Sequence, residues 1–160
     1  MLPILRGWAR SVVVGVVITC GLVMLPSGAG AEKLQKACTV LSSDEIAAVL
    51  PYPVGEPDGS GSKLGCSFDI GEGLGEPGGG MVITQYHTGS VAKSLWSTAK
   101  KGQEKVGQTH TVYWDPGAGI ASGFKKGRLF AVSVTITGKD DTEQQAEAVE
   151  LVEAGLDNLK

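Results

Sequence analysis

Just two cysteines, Cys38 and Cys66, follow an N-terminal stretch that reads as an export signal, and together these features narrow the folds open to the chain. Arg6 and Arg10 come first, then the apolar run 12–25, then small residues ending in Ala29-Gly30-Ala31, the three-part pattern of a secretory leader. Cleavage after residue 31 would start the mature chain at Glu32, in a compartment where thiols oxidise. Cys38 and Cys66 are then expected to join as a structural disulfide. Such a bridge closes a loop of about 29 residues, worth about 3–4 kcal/mol in the chain-entropy model, which is a large share of a small domain's stability. A redox-active or metal-binding cysteine pair fits less well, because the spacing is not Cys-x-x-Cys and no histidines cluster nearby.

Two other readings of the N-terminus stay open. An uncleaved anchor would have to span the bilayer with a 14-residue apolar run, where a transmembrane helix needs roughly 20. Lipidation at Cys20 would follow the bacterial lipoprotein pattern, yet Thr19 stands where Gly, Ala or Ser is usual, and Leu22 to Leu25 is apolar where a polar tether is usual. Membrane attachment is therefore expected only through Cys20 or an uncleaved leader, and the expected address is extracytoplasmic: periplasm, cell envelope or medium.

The 129 residues left after the leader suffice for one domain with a real core and not for two. All 17 acidic residues lie in that part against 12 basic ones (14 less Arg6 and Arg10), a formal charge of −5. Nucleic acid and anionic membrane surfaces are poor partners for such a surface.

Local patterns place the elements. Ser42-Ser43-Asp44-Glu45 is a capping box, with Leu41 and Ile46 spaced as a hydrophobic staple, and the helix it opens should run from Ser43 to Leu50, where Pro51 and Pro53 stop it. After a Gly/Pro/Asp/Ser loop, strands are expected over Lys63 to Ile70 and Met81 to His87, joined as a hairpin through the Gly-rich stretch 71–80. Ser90 should cap a second helix to about Lys101, with Val91, Ala92, Leu95 and Ala99 on its apolar side. Strands are then expected over Val106 to Trp114, Gly119 to Lys125 and Arg128 to Thr137, with a turn at Lys126-Gly127. In the last strand Phe130, Val132, Val134 and Ile136 alternate with Ala131, Ser133, Thr135 and Thr137, the pattern of a strand with one core face and one polar face. Thr142 and Gln145 suggest a capping box for a final helix with Val149, Val152, Leu156 and Leu159 as its stripe. The order helix, two strands, helix, two or three strands, helix predicts an α+β domain. Its antiparallel sheet should have four or five strands, with helices mainly on one face.

Motifs that would carry chemistry fail on context. Gly73-Leu74-Gly75-Glu76-Pro77-Gly78 has the Gly-x-Gly-x-x-Gly form but leads into a strand, whereas a pyrophosphate needs a helix N-terminus, so it reads as a hairpin loop. Gly119-Ile120-Ala121-Ser122-Gly123 has its serine one place too late for a hydrolase elbow. No cofactor motif and no catalytic constellation is found. His87 and His110, the only histidines, would have to serve any acid–base or metal chemistry. Trp96, Tyr113, Trp114 and Asp115 gather near loops and form the candidate binding surface, alongside the commoner fate of aromatics as core.

The run Cys38-Thr39-Val40-Leu41-Ser42-Ser43-Asp44-Glu45-Ile46, the Gly65-Cys66-Ser67-Phe68 segment before a hairpin, the glycines around 117–121 and the last strand and helix resemble a family of exported bacterial domain-of-unknown-function proteins, many of them lipoproteins. Their shared pattern is Cys-x-x-Leu-(Ser/Thr)-x-x-Glu at the start of a two-cysteine domain. The resemblance spans Cys38 to Leu159 and implies a disulfide-linked α+β module, similar in layout to extracytoplasmic sensor domains of bacterial kinases, that binds rather than catalyses. The chain departs from the family at the lipobox and at Gly117-Ala118-Gly119-Ile120-Ala121, which is compressed relative to the usual glycine-glycine-alanine segment. The expected function is non-catalytic: a binding or sensing module for a small ligand or an envelope protein, using the concave side of the sheet and the loop from Tyr113 to Ala121. The alternative is a small exported hydrolase or metal-dependent enzyme using His87 or His110. A structural or inhibitory role toward an extracellular enzyme is the third.

Overall fold

The computed structural model describes residues 37–59 and 64–160. The leader, Cys20, the cleavage point at Glu32 and the expected strand start at Lys63 lie outside the described residues. Nine elements follow in order: α1 (Ser43–Val49), β1 (Gly65–Ile70), β2 (Gly80–Thr88), α2 (Gly89–Gly102), β3 (Glu104–Lys105), β4 (Val112–Asp115), β5 (Ile120–Lys125), β6 (Arg128–Ile136) and α3 (Asp141–Asn158). The strands form one open antiparallel sheet of six in the order β1-β2-β6-β5-β4-β3. This is the expected α+β class, with one strand more than anticipated.

The extra strand is β3, just ahead of Val106; the segment read as one strand from Val106 to Trp114 enters the sheet only at Val112. Its middle stays out of the sheet: the backbone N–H groups of Gln108, Thr109 and His110 all donate to Glu153 Oε1 of α3, at 2.6, 2.8 and 3.2 Å. A carboxylate that takes three donors satisfies groups the ladder would otherwise have to pair, so the chain loops out between the two short strands β3 and β4.

The sheet is covered on both faces, unequally. On one face, Phe130, Val132, Val134 and Ile136 of β6 join Phe68, Ile70, Val82, Val112 and Trp114 in the main core, closed by α1 and α3. On the other, Leu129 and Ala131 meet Ala92 of α2, with Trp96, Ile120 and Phe124 packed around them. The middle helix thus lies opposite the other two, and its buried line runs through Ala92, Trp96 and Ala99. Val91 and Leu95, expected inside, are 53% and 42% exposed. Both faces of β2 carry apolar side chains, Val82 inward and the half-buried Ile83 outward, which gives α2 something to cover.

Two of the three expected caps differ in detail. α1 has its capping box as read, Ser42 Oγ accepting from the Glu45 N–H and Glu45 Oε2 accepting from the Ser42 N–H at 2.7 Å, with Leu41 and Ile46 fully buried beside it. α3 is capped two residues earlier than expected, by Asp140 with Glu143 rather than by Thr142 with Gln145. α2 starts after Thr88 and has no side-chain cap, so Ser90 lies inside the helix.

Cys38 and Cys66 are bridged, with their Cα atoms 5.1 Å apart, tying the chain ahead of α1 to β1. Such a bond is at home in an oxidising compartment. Among the described residues no helix is long and apolar enough to cross a membrane. The free edge of β1 is shielded by the preceding loop, where Gly55 donates to Asp69 and Asp58 pairs with Ser67.

Candidate functional site

α2 lies across the outer face against β2, β4, β5 and β6 and leaves part of that face uncovered. Strand alternation lays a row across that face, Tyr113 beside Ser122, Ser122 beside Ala131 and Ala131 beside Gln85, with Ile120 and Ile83 one step along their strands. Where the helix stops, this surface becomes a groove. Two adjoining cavities of about 230 and 170 Å³ share Gln85, Ile120 and Ala131 as lining. Leu95 and Thr98 of α2 form one wall and the turn at Ala118 closes an end.

The polar groups here are few and specifically held. Asp115 ends β4, and its Oδ1 accepts from the backbone N–H groups of Gly117 and Ala118 at 3.0 and 3.2 Å, an Asx turn that sets the loop 116–119. Its Oδ2 accepts from Gln103 Nε2 at 3.2 Å. Gln103 is the residue immediately after α2, so this contact fixes the end of the helix to the end of the strand. The other amide atom, Gln103 Oε1, is buried and has no hydrogen-bond partner among the described residues. A carbonyl acceptor left in this condition costs about 1–3 kcal/mol, which makes it a marked feature of the groove.

The side chains singled out in the sequence divide between the two faces. Trp96 packs edge-on against Tyr113, ring centroids 5.1 Å apart, and stacks on Phe124 at 5.6 Å, so the three rings hold α2 to the sheet. Asp115 shares their face and reaches the groove. Trp114 does not: alternation turns it to the main core, where it is 6% exposed. Gln85 and Gln103 were not singled out in the sequence, and Leu95 only as part of the apolar side of α2. The apolar residues on both faces of β2 are the signal that could have pointed to this second covered surface.

The histidines sit on elements at opposite faces. His87 stands on the outer face of β2, paired in register with Leu129, and burial holds its imidazole below the usual histidine range. His110, in the loop after β3, bonds through Nε2 to Asp157 Oδ1 at 2.7 Å on α3. That hydrogen bond, with Lys125 nearby, lowers the Asp157 carboxyl. No group of three or more His, Cys, Asp or Glu able to hold a metal ion occurs among the described residues.

A larger groove, about 730 Å³, lies between β3 and α3, bordered by Glu104, Lys105, Val149 and Glu150. Its carboxylate Glu153 is already engaged by three backbone donors, which outweigh the upward push of burial and hold it below the usual range. Comparison with family models, curated proteins and solved structures finds no match for this chain.

Proposed function

We propose that this chain is an exported, non-catalytic binding or sensing module of the cell envelope or the medium, and that its ligand site is the outer groove between α2 and strands β2, β6 and β5. The buried, unpartnered Gln103 Oε1 beside a half-apolar groove carries the reading, because an acceptor without a donor is a group a ligand can satisfy. Leader, cleavage before Glu32 and disulfide make one consistent export route, and the resemblance to two-cysteine exported domains with a sensor-like layout points the same way. In this reading Cys20 leaves with the leader and is not lipidated.

Native mass spectrometry of the protein isolated from its own envelope or culture medium tests this. The expected species starts at Glu32, carries no lipid mass and keeps a small molecule or partner that Ile120→Trp, which fills the groove, releases. A chain whose retained ligand survives Ile120→Trp would sink the groove as the site. A second reading, a small exported hydrolase or metal-dependent enzyme, is favoured only by the His110–Asp157 pair. The two part on one variant: His87→Ala/His110→Ala leaves retention of the ligand intact in the first and abolishes activity in the second.

A further inference from the structure

We infer that the outer groove takes a ligand bearing an alkylammonium group on a short apolar chain, an inference that rests on the groove being the binding site. Among the described residues Asp115 is the only ionisable side chain lining either cavity, so that lining brings one carboxylate and no cationic group. Asp115 also orients the amide of Gln103: by accepting from Nε2 it leaves Oε1 as the end with no donor. The same spot is the C-terminus of the 14-residue helix α2, where backbone carbonyls give a partial negative charge. Lys100 and Lys101 in that last turn are exposed and line neither cavity. Three features thus favour a cationic donor, and a charged hydrogen bond made away from water is at its strongest. Gln103 lies just past the helix, so a side-chain rotation that presents the buried Oε1 to the cavity leaves the helical hydrogen bonds in place, and where it parts Nε2 from Asp115 it frees Oδ2 as a second acceptor for the ammonium. Leu95, Ile120, Leu129 and Ala131 supply the apolar lining for the chain that carries the ammonium, and the two volumes suit a small molecule or a single lysine side chain.

The test is an NMR titration of the exported chain, following the methyls of Leu95 and Ile120 and the Gln103 side-chain amide, with three probes of equal length: n-butylammonium, n-butanol and butyrate. Butylammonium should shift these signals saturably and at least ten-fold more tightly than the other two. Asp115→Asn, which keeps an oxygen for the turn, should reduce that preference to less than about three-fold while leaving the backbone spectrum folded. Nα-acetyl-lysine methylamide separates the sources: binding as tight as butylammonium supports a peptide lysine, and weaker binding supports a free amine. Butanol binding as well as butylammonium would overturn the ammonium assignment and leave the groove standing. Silence of all probes at these signals would overturn the assignment and the groove together.

Discussion

Gly155 of α3 and Phe130 of β6 pack so closely that a Cβ at position 155 would lie 2.2 Å from Phe130 Cε1 and 2.5 Å from Cδ1. Helix and sheet approach to this distance because one partner has no side chain. Phe130 is fully buried and has nowhere to go. In a helix interior Gly→Ala normally gains up to about 1 kcal/mol, whereas overpacking a core costs about 1–3. Gly155→Ala is therefore expected to destabilise the domain by about 1–2 kcal/mol, read as a lower urea midpoint. A raised midpoint would mean the helix lifts off the sheet easily.

The bridge between Cys38 and Cys66 constrains the unfolded chain, and Cys66 is itself buried. Replacing both by alanine should cost about 2–4 kcal/mol. Adding reductant to the wild type should lower its urea midpoint in the same direction. Equal midpoints with and without reductant would show the bond contributes nothing.

Glu153 joins the loop after β3 to α3. Its carboxyl is held below the usual range in the folded chain, so the unfolded chain takes up a proton first as pH falls. The stabilisation is whole above about pH 5 and is lost as pH drops through the folded value. Glu153→Gln should remove about 1–2 kcal/mol at pH 7, low for charged hydrogen bonds because the group is partly solvated, and should flatten the acid slope. Faster amide exchange at Gln108, Thr109 and His110 in the variant is the local check.

His87 works in a different pH window. Burial depresses its pKa, so the folded chain binds fewer protons than the unfolded one as pH falls through the ordinary imidazole range near 6.5. Stability should decline between about pH 7 and 5, and His87→Gln should remove that decline. A variant with the same profile as the parent would show that the slope belongs to other groups.

Lys126 is the only described non-glycine residue with positive φ, 51°, and Gly127 follows at 78°, the two centres of the hairpin turn between Lys125 and Arg128. That geometry is a type I′ turn, which asparagine enters more readily than lysine. Lys126→Asn should raise stability by about 0.5–1 kcal/mol in thermal unfolding, since asparagine enters the left-handed region at less cost and the Lys126 side chain is exposed. A lower melting temperature would mean the lysine side chain contributes more than the strain costs.

What could be read from the sequence was whatever depends on close neighbours. The Ser42–Glu45 box, the hairpin through the glycines after Ile70, the alternation along β6 and the turn at 126–127 each involve groups within a few residues, and all stand in the fold. The disulfide also followed, because only two of the three cysteines, Cys38 and Cys66, lie beyond residue 31, and two admit one pairing. Tertiary structure decided what depends on distant groups. The expected strand from Val106 begins only at Val112 because Gln108 meets a carboxylate 45 residues away. α2 shows Val91 and Leu95 to solvent because the outer face of the sheet, not its own periodicity, selects which side is buried. Trp114 and Asp115 are adjacent in the chain and on opposite faces of the sheet, and Gln103 meets Asp115 only because a helix end and a strand end are brought together. Local hydrogen bonds choose the elements; the pairing of far-apart donors, acceptors and apolar faces chooses where the groove forms.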